Sequence, residues 1–231
     1  MTKTAPKMKA KAAADVPNGR AAGKTASPNE GGARAKRTAE RRDAILHAAL
    51  DEFAVSGYAA ARLDDVAKRA GVAKGTIYLY FADKETLFRE LIQMELAPVV
   101  GTLIHAATAD IPVRLFIEQL IEVFVREVYE TRRRDVIRLI LTEGPRFPTI
   151  AEFYYREVVG PVLKAVRALM RRAIERGELK SDVLVRFPQL IPSPAIVAIF
   201  WNGLFERFEP LDVRELMRAH FDILFGNGRL S

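Results

Sequence analysis

Cysteine is absent from the 231 residues, so neither a disulfide framework nor a thiolate metal site can form. Histidine occurs only as His47, His105 and His220, dispersed and without an adjacent nucleophile, so no metal, cofactor or catalytic dyad is expected. No nucleophile elbow, phosphate-binding glycine loop, zinc-binding helix or paired-carboxylate motif is found, which argues against an enzyme. Alternating apolar and polar runs long enough to build a sheet are also missing, which leaves an all-α fold. The longest stretch without a charge, Phe187 to Phe205, contains Pro188, Pro192 and Pro194. About eleven residues of uninterrupted helix remain, too few for a membrane span of roughly twenty, so a buried helix and no membrane partner are expected. The N-terminal residues lack the continuous apolar core of a secretory signal, and a cytoplasmic address follows.

What is present is charge, unevenly placed. Residues 1–37 carry nine basic side chains and two acidic ones, a balance of +7, while the remaining 194 residues hold 27 of each sign. That basic stretch is rich in Ala, Gly, Pro and Lys without an apolar period, so 1–37 reads as a disordered tail. It is either a solubilising leader or an arm that attracts phosphate.

Helical periods fill the rest. Thr38 is suited to cap a helix over Ala39–Ser56 that places Ile45, Leu46, Ala49, Leu50 and Phe53 on one face and ends at Gly57. Leu63, Val66, Ala67 and Ala70 form the stripe of a short second helix stopped by Gly71. Lys74–Phe81 makes a third, and Asp83 can cap a fourth running toward Pro98. Further helices are expected near 99–108, 112–130, 133–143, 149–176, 195–208 and 212–225, with Gly160-Pro161 kinking or dividing the long one.

The segment Leu63–Phe88, LDDVAKRAGVAKGTIYLYFADKETLF, carries the functional signal. Gly71-Val72-Ala73 is a turn tight enough to set two helices across each other, as a helix-turn-helix requires. In the second of these helices Ile77 and Phe81, at i and i+4, define the buried side. The opposite side then presents Gly75, Thr76 and Leu79, flanked by Lys74, Tyr78 and Tyr80. Hydroxyls and an ammonium suit phosphate oxygens, and the bare backbone of Gly75 allows close approach to base edges. Leu79 either meets a thymine methyl or packs against a neighbouring helix. Lys84 sits in the first turn of the next helix, where its charge is unfavourable without a partner anion, and phosphate would serve.

GVAKGTIYLYFADKETLF, preceded by Gly57-Tyr58 and Leu63-Asp64-Asp65-Val66-Ala67, resembles the signature of TetR-type repressors over roughly residues 38–92. The resemblance implies that Lys74, Gly75 and Leu79 face bases and that Thr76, Tyr78, Tyr80 and Lys84 hold phosphates. Where many relatives have a capping threonine this chain has Arg62, a candidate for a phosphate or base contact instead. The implied organisation is a DNA-binding domain at 38–84 and a helical ligand-binding and dimerisation domain at 85–231. The implied function is a homodimeric repressor that binds palindromic operator DNA and is released by a small apolar or amphipathic effector. Large apolar and aromatic groups on the helices that the resemblance places around the cavity are Leu103, Phe116, Leu120, Phe124, Phe147 and Tyr155. Ala195–Phe205, apolar nearly all round, and the stripe from Val159 through Leu163, Val166 and Met170 to Ala173 are expected to form a four-helix dimer interface. Glu143-Gly144-Pro145-Arg146-Phe147-Pro148 is similar to a loop of one subgroup. The alternative is a chromosome-binding protein of the same fold controlled by a protein partner.

Overall fold

The computed structural model describes residues 28–226, and among them every regular element is a helix. The chain divides after Ala39 into two compact units. In the first, the described residues 28–39 are helical, and those from Gly32 on are exposed. Of the stretch 1–37 read as a tail, residues 28–37 are thus helical here, and residues 1–27 lie outside the described part. The cap expected at Thr38 fails, because its hydroxyl donates to the Arg34 carbonyl at 3.0 Å from within a helix. Ala, Arg, Lys and Glu are strong helix formers, and ARAKRTAERR supports helix on both sides of the threonine.

The helix α1 is assigned to Pro28–Ala60, but Gly57 breaks its geometry with φ 72° and ψ 160°, a conformation open essentially to glycine alone. The breaker was correctly placed by the sequence; the chain simply resumes a helical turn after it. α2 (Leu63–Arg69) and α3 (Lys74–Tyr78) follow, joined through Gly71 at φ 67°. Asp83 caps α4 (Lys84–Thr108), accepting from the Thr86 amide at 2.7 Å. Pro98 does not end α4 as expected. It is tolerated inside, at the loss of one backbone bond, and the helix runs on for another ten residues to Thr108. Length and composition would let α4 cross a membrane, yet Leu87, Phe88, Leu91 and Ile92 are wholly buried in protein.

Beyond α4 come α5 (Val113–Val123), α6 (Arg133–Glu143), α7 (Pro148–Tyr154) and α8 (Gly160–Glu175). α5 finishes in a π-helical stretch, Phe124–Tyr129. The expected division at Gly160-Pro161 is a second π stretch, Tyr155–Val159, closed by the Gly160 amide on the Tyr155 carbonyl. A Cβ on Gly160 would stand only 3.0 Å from that carbonyl, so a larger residue would crowd the wide turn. The short α9 (Val183–Arg186) and a 3₁₀ turn at Pro188–Leu190, neither anticipated, lead into α10 (Ser193–Phe205) and α11 (Val213–Phe225).

Two hydrophobic cores hold the second unit together. The first gathers Leu46, Phe53, Ile77, Phe81 and Phe88 with Val136, Ile140 and Phe153 from α6 and α7. The second gathers Phe116, Ile121 and Phe124 with Val166, Leu169, Ala198 and Phe221. The division falls inside α4, between Leu96 and Val99. The stripe on α8 expected at a subunit interface is core instead: Leu163, Val166, Leu169, Met170 and Ala173 are buried within this chain. They face α4 and α5, whose apolar sides need them.

Burial pushes the phenols of Tyr58 and Tyr154 up to about 12. An unfolded tyrosine ionises near 10, so their contribution to stability is complete below pH 10 and lost as pH rises through about 12. Thermal melts should show a falling midpoint over that window, less steep in Tyr154→Phe. Asp83→Ala should cost about 1 kcal/mol at neutral pH by denaturant titration.

Candidate nucleic-acid interface

The α2–turn–α3 unit is set by side chains that point inward. Val66 and Ala67 on α2 and Ile77 on α3 are buried, Phe81 is 1% exposed just beyond, and Val72 in the turn packs against the same core. Once Ile77 faces in, the helical period turns Gly75, Tyr78 and Leu79 outward. Tyr78 is 50% and Leu79 82% exposed. Leu79 therefore does not pack against a neighbouring helix, the second of the two roles left open for it. No atom lies within 4 Å of a Cβ built on Gly75, so the backbone there is bare to solvent. Thr76 and Tyr80 are half-buried, with Tyr80 leaning on the first core. α3 ends at Tyr78 rather than Phe81, and the amides of Leu79, Tyr80 and Phe81 continue the winding as a tight turn.

Arg62 stands at the N-cap of α2 with extended backbone and makes no side-chain cap, which leaves its guanidinium on the surface beside α3. Lys74 donates to Asp64 Oδ2 at 2.7 Å, and that bond, more than the carboxylate's charge alone, raises its pKa. Asp64, which sequence reasoning passed over, thus orients an exposed cation at the start of α3; its place in the first turn of α2, ten residues before Lys74, was the available signal. Arg42, also passed over, lies over the Phe81 ring at 5.7 Å and pairs with Glu90.

Lys84 is different from the expectation. Its ammonium donates to the carbonyls of Tyr58, Ala59 and Ala61 at 2.7, 2.9 and 3.0 Å and sits 4.8 Å from the Tyr58 ring. The partner expected of a phosphate is supplied by the negative end of α1. Desolvation lowers its pKa, opposed by the charge of Glu143.

The six candidate pocket residues do not come together. Phe116 and Phe124 are buried in the second core, with Leu103 and Leu120 packed against it. Phe147 instead stands edge-on to Tyr58 at 4.7 Å in the first core, and Tyr155 is 61% exposed on a π turn. A helical wheel assigns a face, but only packing decides which core that face joins. Among the described residues a cleft of about 510 Å³ opens beside the second core, between Val113, Ile117, Leu179, Phe221 and Phe225, with Arg114 and Glu178 at its edge. It holds none of the six.

Two family models match, "Bacterial regulatory proteins, tetR family" over residues 45–91 and "Tetracyclin repressor-like, C-terminal domain" over 116–220. The HTH-type transcriptional repressor BepR of Brucella suis is 33% identical over 150 residues, 62% of this chain and 71% of BepR. The chain belongs to the TetR family. It is a transcriptional regulator that binds DNA through its helix-turn-helix, and not an enzyme. AcrR of Shigella flexneri is 28% identical over 190 residues, covering 80% of this chain and 87% of AcrR. The fatty acid degradation regulator FadR from Bacillus halodurans superposes with a TM-score of 0.65 at 25% identity, over 82% of this chain and 96% of that one. The fold of this TetR-family chain is thus shared along almost the whole length of FadR.

Ile77→Ala should cost roughly 2–4 kcal/mol of stability, since it empties a fully buried site under the reading helix. Leu79→Ala, two residues on, should leave the urea midpoint unchanged.

Proposed function

We propose that the chain is a ligand-responsive repressor that binds palindromic operator DNA as a homodimer and is released by a small apolar or amphipathic effector. The observation that carries the reading is the exposed strip of α3, where Gly75, Tyr78 and Leu79 project away from a core that holds the helix rigid. Lys74, Gly75 and Leu79 address base edges; Arg62, Thr76, Tyr78 and Tyr80 hold the flanking backbone, with Lys84 bracing the unit from behind. The DNA-reading domain is residues 38–84 and the effector and dimer domain 85–231. Acting on DNA, the protein works in the bacterial cytoplasm.

Dimerisation is supported by α10. Val197, Leu204 and Phe205 on α10 and Phe208 just after it are 49%, 63%, 43% and 70% exposed, an apolar face that water disfavours. A second copy related by a twofold axis would cover it and set two reading helices about one DNA turn apart. Among proteins of this fold, a FadR structure from Bacillus subtilis is a complex with stearoyl-CoA and a SmeT structure a complex with triclosan. Those two molecules are therefore the first effector probes. Leu103, Phe116, Leu120 and Phe124 line the core that such a molecule would part.

Light scattering should give twice the 25.8 kDa chain mass, and Leu204→Glu should halve it and abolish binding to a palindrome. On duplex selected from a random pool, Tyr78→Phe and Leu79→Ala should each weaken binding by about 1–3 kcal/mol without lowering the melting temperature. An effector that reduces DNA affinity 100-fold has a coupling of about 2.7 kcal/mol, and the selected duplex must weaken effector binding by the same factor. Equal effector affinity with and without DNA would exclude that molecule as the inducer.

A further inference from the structure

We infer that Glu143 is a positioning residue for operator binding, its carboxylate holding the end of α6 against the last turn of α1 and so fixing how the reading helices sit. The inference deepens the regulator reading and rests on it.

The loop from Glu143 to Phe147 meets α1 twice. Glu143 Oε1 is 3.1 Å from where a Gly57 Cβ would stand, so the carboxylate is seated on a residue of α1 that has no side chain. Four residues on, the Phe147 ring packs edge-on to Tyr58 at 4.7 Å. Glu143 Oε2 is buried without a hydrogen-bond partner. The nearby ammonium cannot supply one, because all three of its protons go to the carbonyls of Tyr58, Ala59 and Ala61. What remains is through-space attraction, visible as the effect of Glu143 on Lys84.

A carboxylate oxygen buried for stability alone is expected to be satisfied. An incompletely paired one costs stability, and its best-attested use is to specify one arrangement over others. Here the arrangement is that of α6 on the reading unit. The opposite end of α6 is tied as well, by Arg132 to Asp51 of α1 and by Arg133 to the Glu95 carbonyl of α4 at 2.7 Å. Between the two ends Ile137 packs against both cores. α6 is the strut joining the effector core to the reader, and Glu143 is its charged foot.

The test uses full-length protein with two duplexes at one salt concentration, one selected from a random pool by the wild type and one unselected. Glu143→Gln keeps the shape and removes the charge. Binding to the selected duplex should weaken about tenfold while binding to the unselected one stays within about twofold, the scale of a coupling residue with no ligand contact. Glu143→Met, which also removes the unpartnered oxygen, should show the same split with a melting temperature no lower than wild type. Glu143→Asp should recover part of the loss. In a double-mutant cycle, Lys84→Met should weaken selected binding less in the Glu143→Gln background than in the wild type. Unchanged binding by Glu143→Gln, equal losses on both duplexes, or additive effects in the cycle would each overturn the inference. Failure of stearoyl-CoA and triclosan to act bears on the effector alone and leaves these ratios untouched.

Discussion

A helix that ends inside a protein must dispose of its last carbonyl groups, and α1 does so on a single ammonium. Lys84, from the first turn of α4, takes the carbonyls of Tyr58, Ala59 and Ala61. Two helix ends that would each be costly alone, one with unpaired acceptors and one with a cation near its positive pole, become each other's remedy. The contact locks the entry of α4 to the exit of α1. It also closes a lid over Tyr58, whose ring meets Phe53, Phe88 and Phe147 at 5.5, 5.0 and 4.7 Å. The three-helix reader acquires its rigidity from this corner.

The corner explains why the boundary between the first core and the second is a packing boundary rather than a linker. α4 passes through both cores without interruption, and Val136, Ile140 and Phe153 from α6 and α7 complete the first one. The second core is thus joined to the first by a continuous helix, without a hinge loop in between. Such coupling needs discrete alternative packings at the seam, which close-packed cores supply more readily than gradual deformation.

The outward face of α3 was legible in the sequence because it depends on local rules. Gly71 marks a turn by its need for positive φ, Asp83 caps by its side-chain reach, and Ile77 with Phe81 selects a buried side that turns Tyr78 and Leu79 out. Each rule works within four residues, and each has the expected geometry here. Arg62 likewise stands at its cap position without capping.

Other assignments depend on neighbours far along the chain. Periodicity made α8 amphipathic, but not whether its apolar side would meet a second copy or its own α4, and the fold chose α4. Phe147 was a large aromatic on a helix boundary, and only packing sent it to Tyr58 instead of to Phe116 and Phe124. Lys84 carried a charge needing a partner, and its partner came from carbonyls 23 to 26 residues earlier. The sequence by itself determined the all-helical class, the breaks at Gly57 and Gly71 and the outward face of α3, since those follow from backbone preference and a 3.6-residue period. The tertiary structure alone decided which faces share a core and which polar groups meet, because those depend on long-range packing that no local pattern encodes.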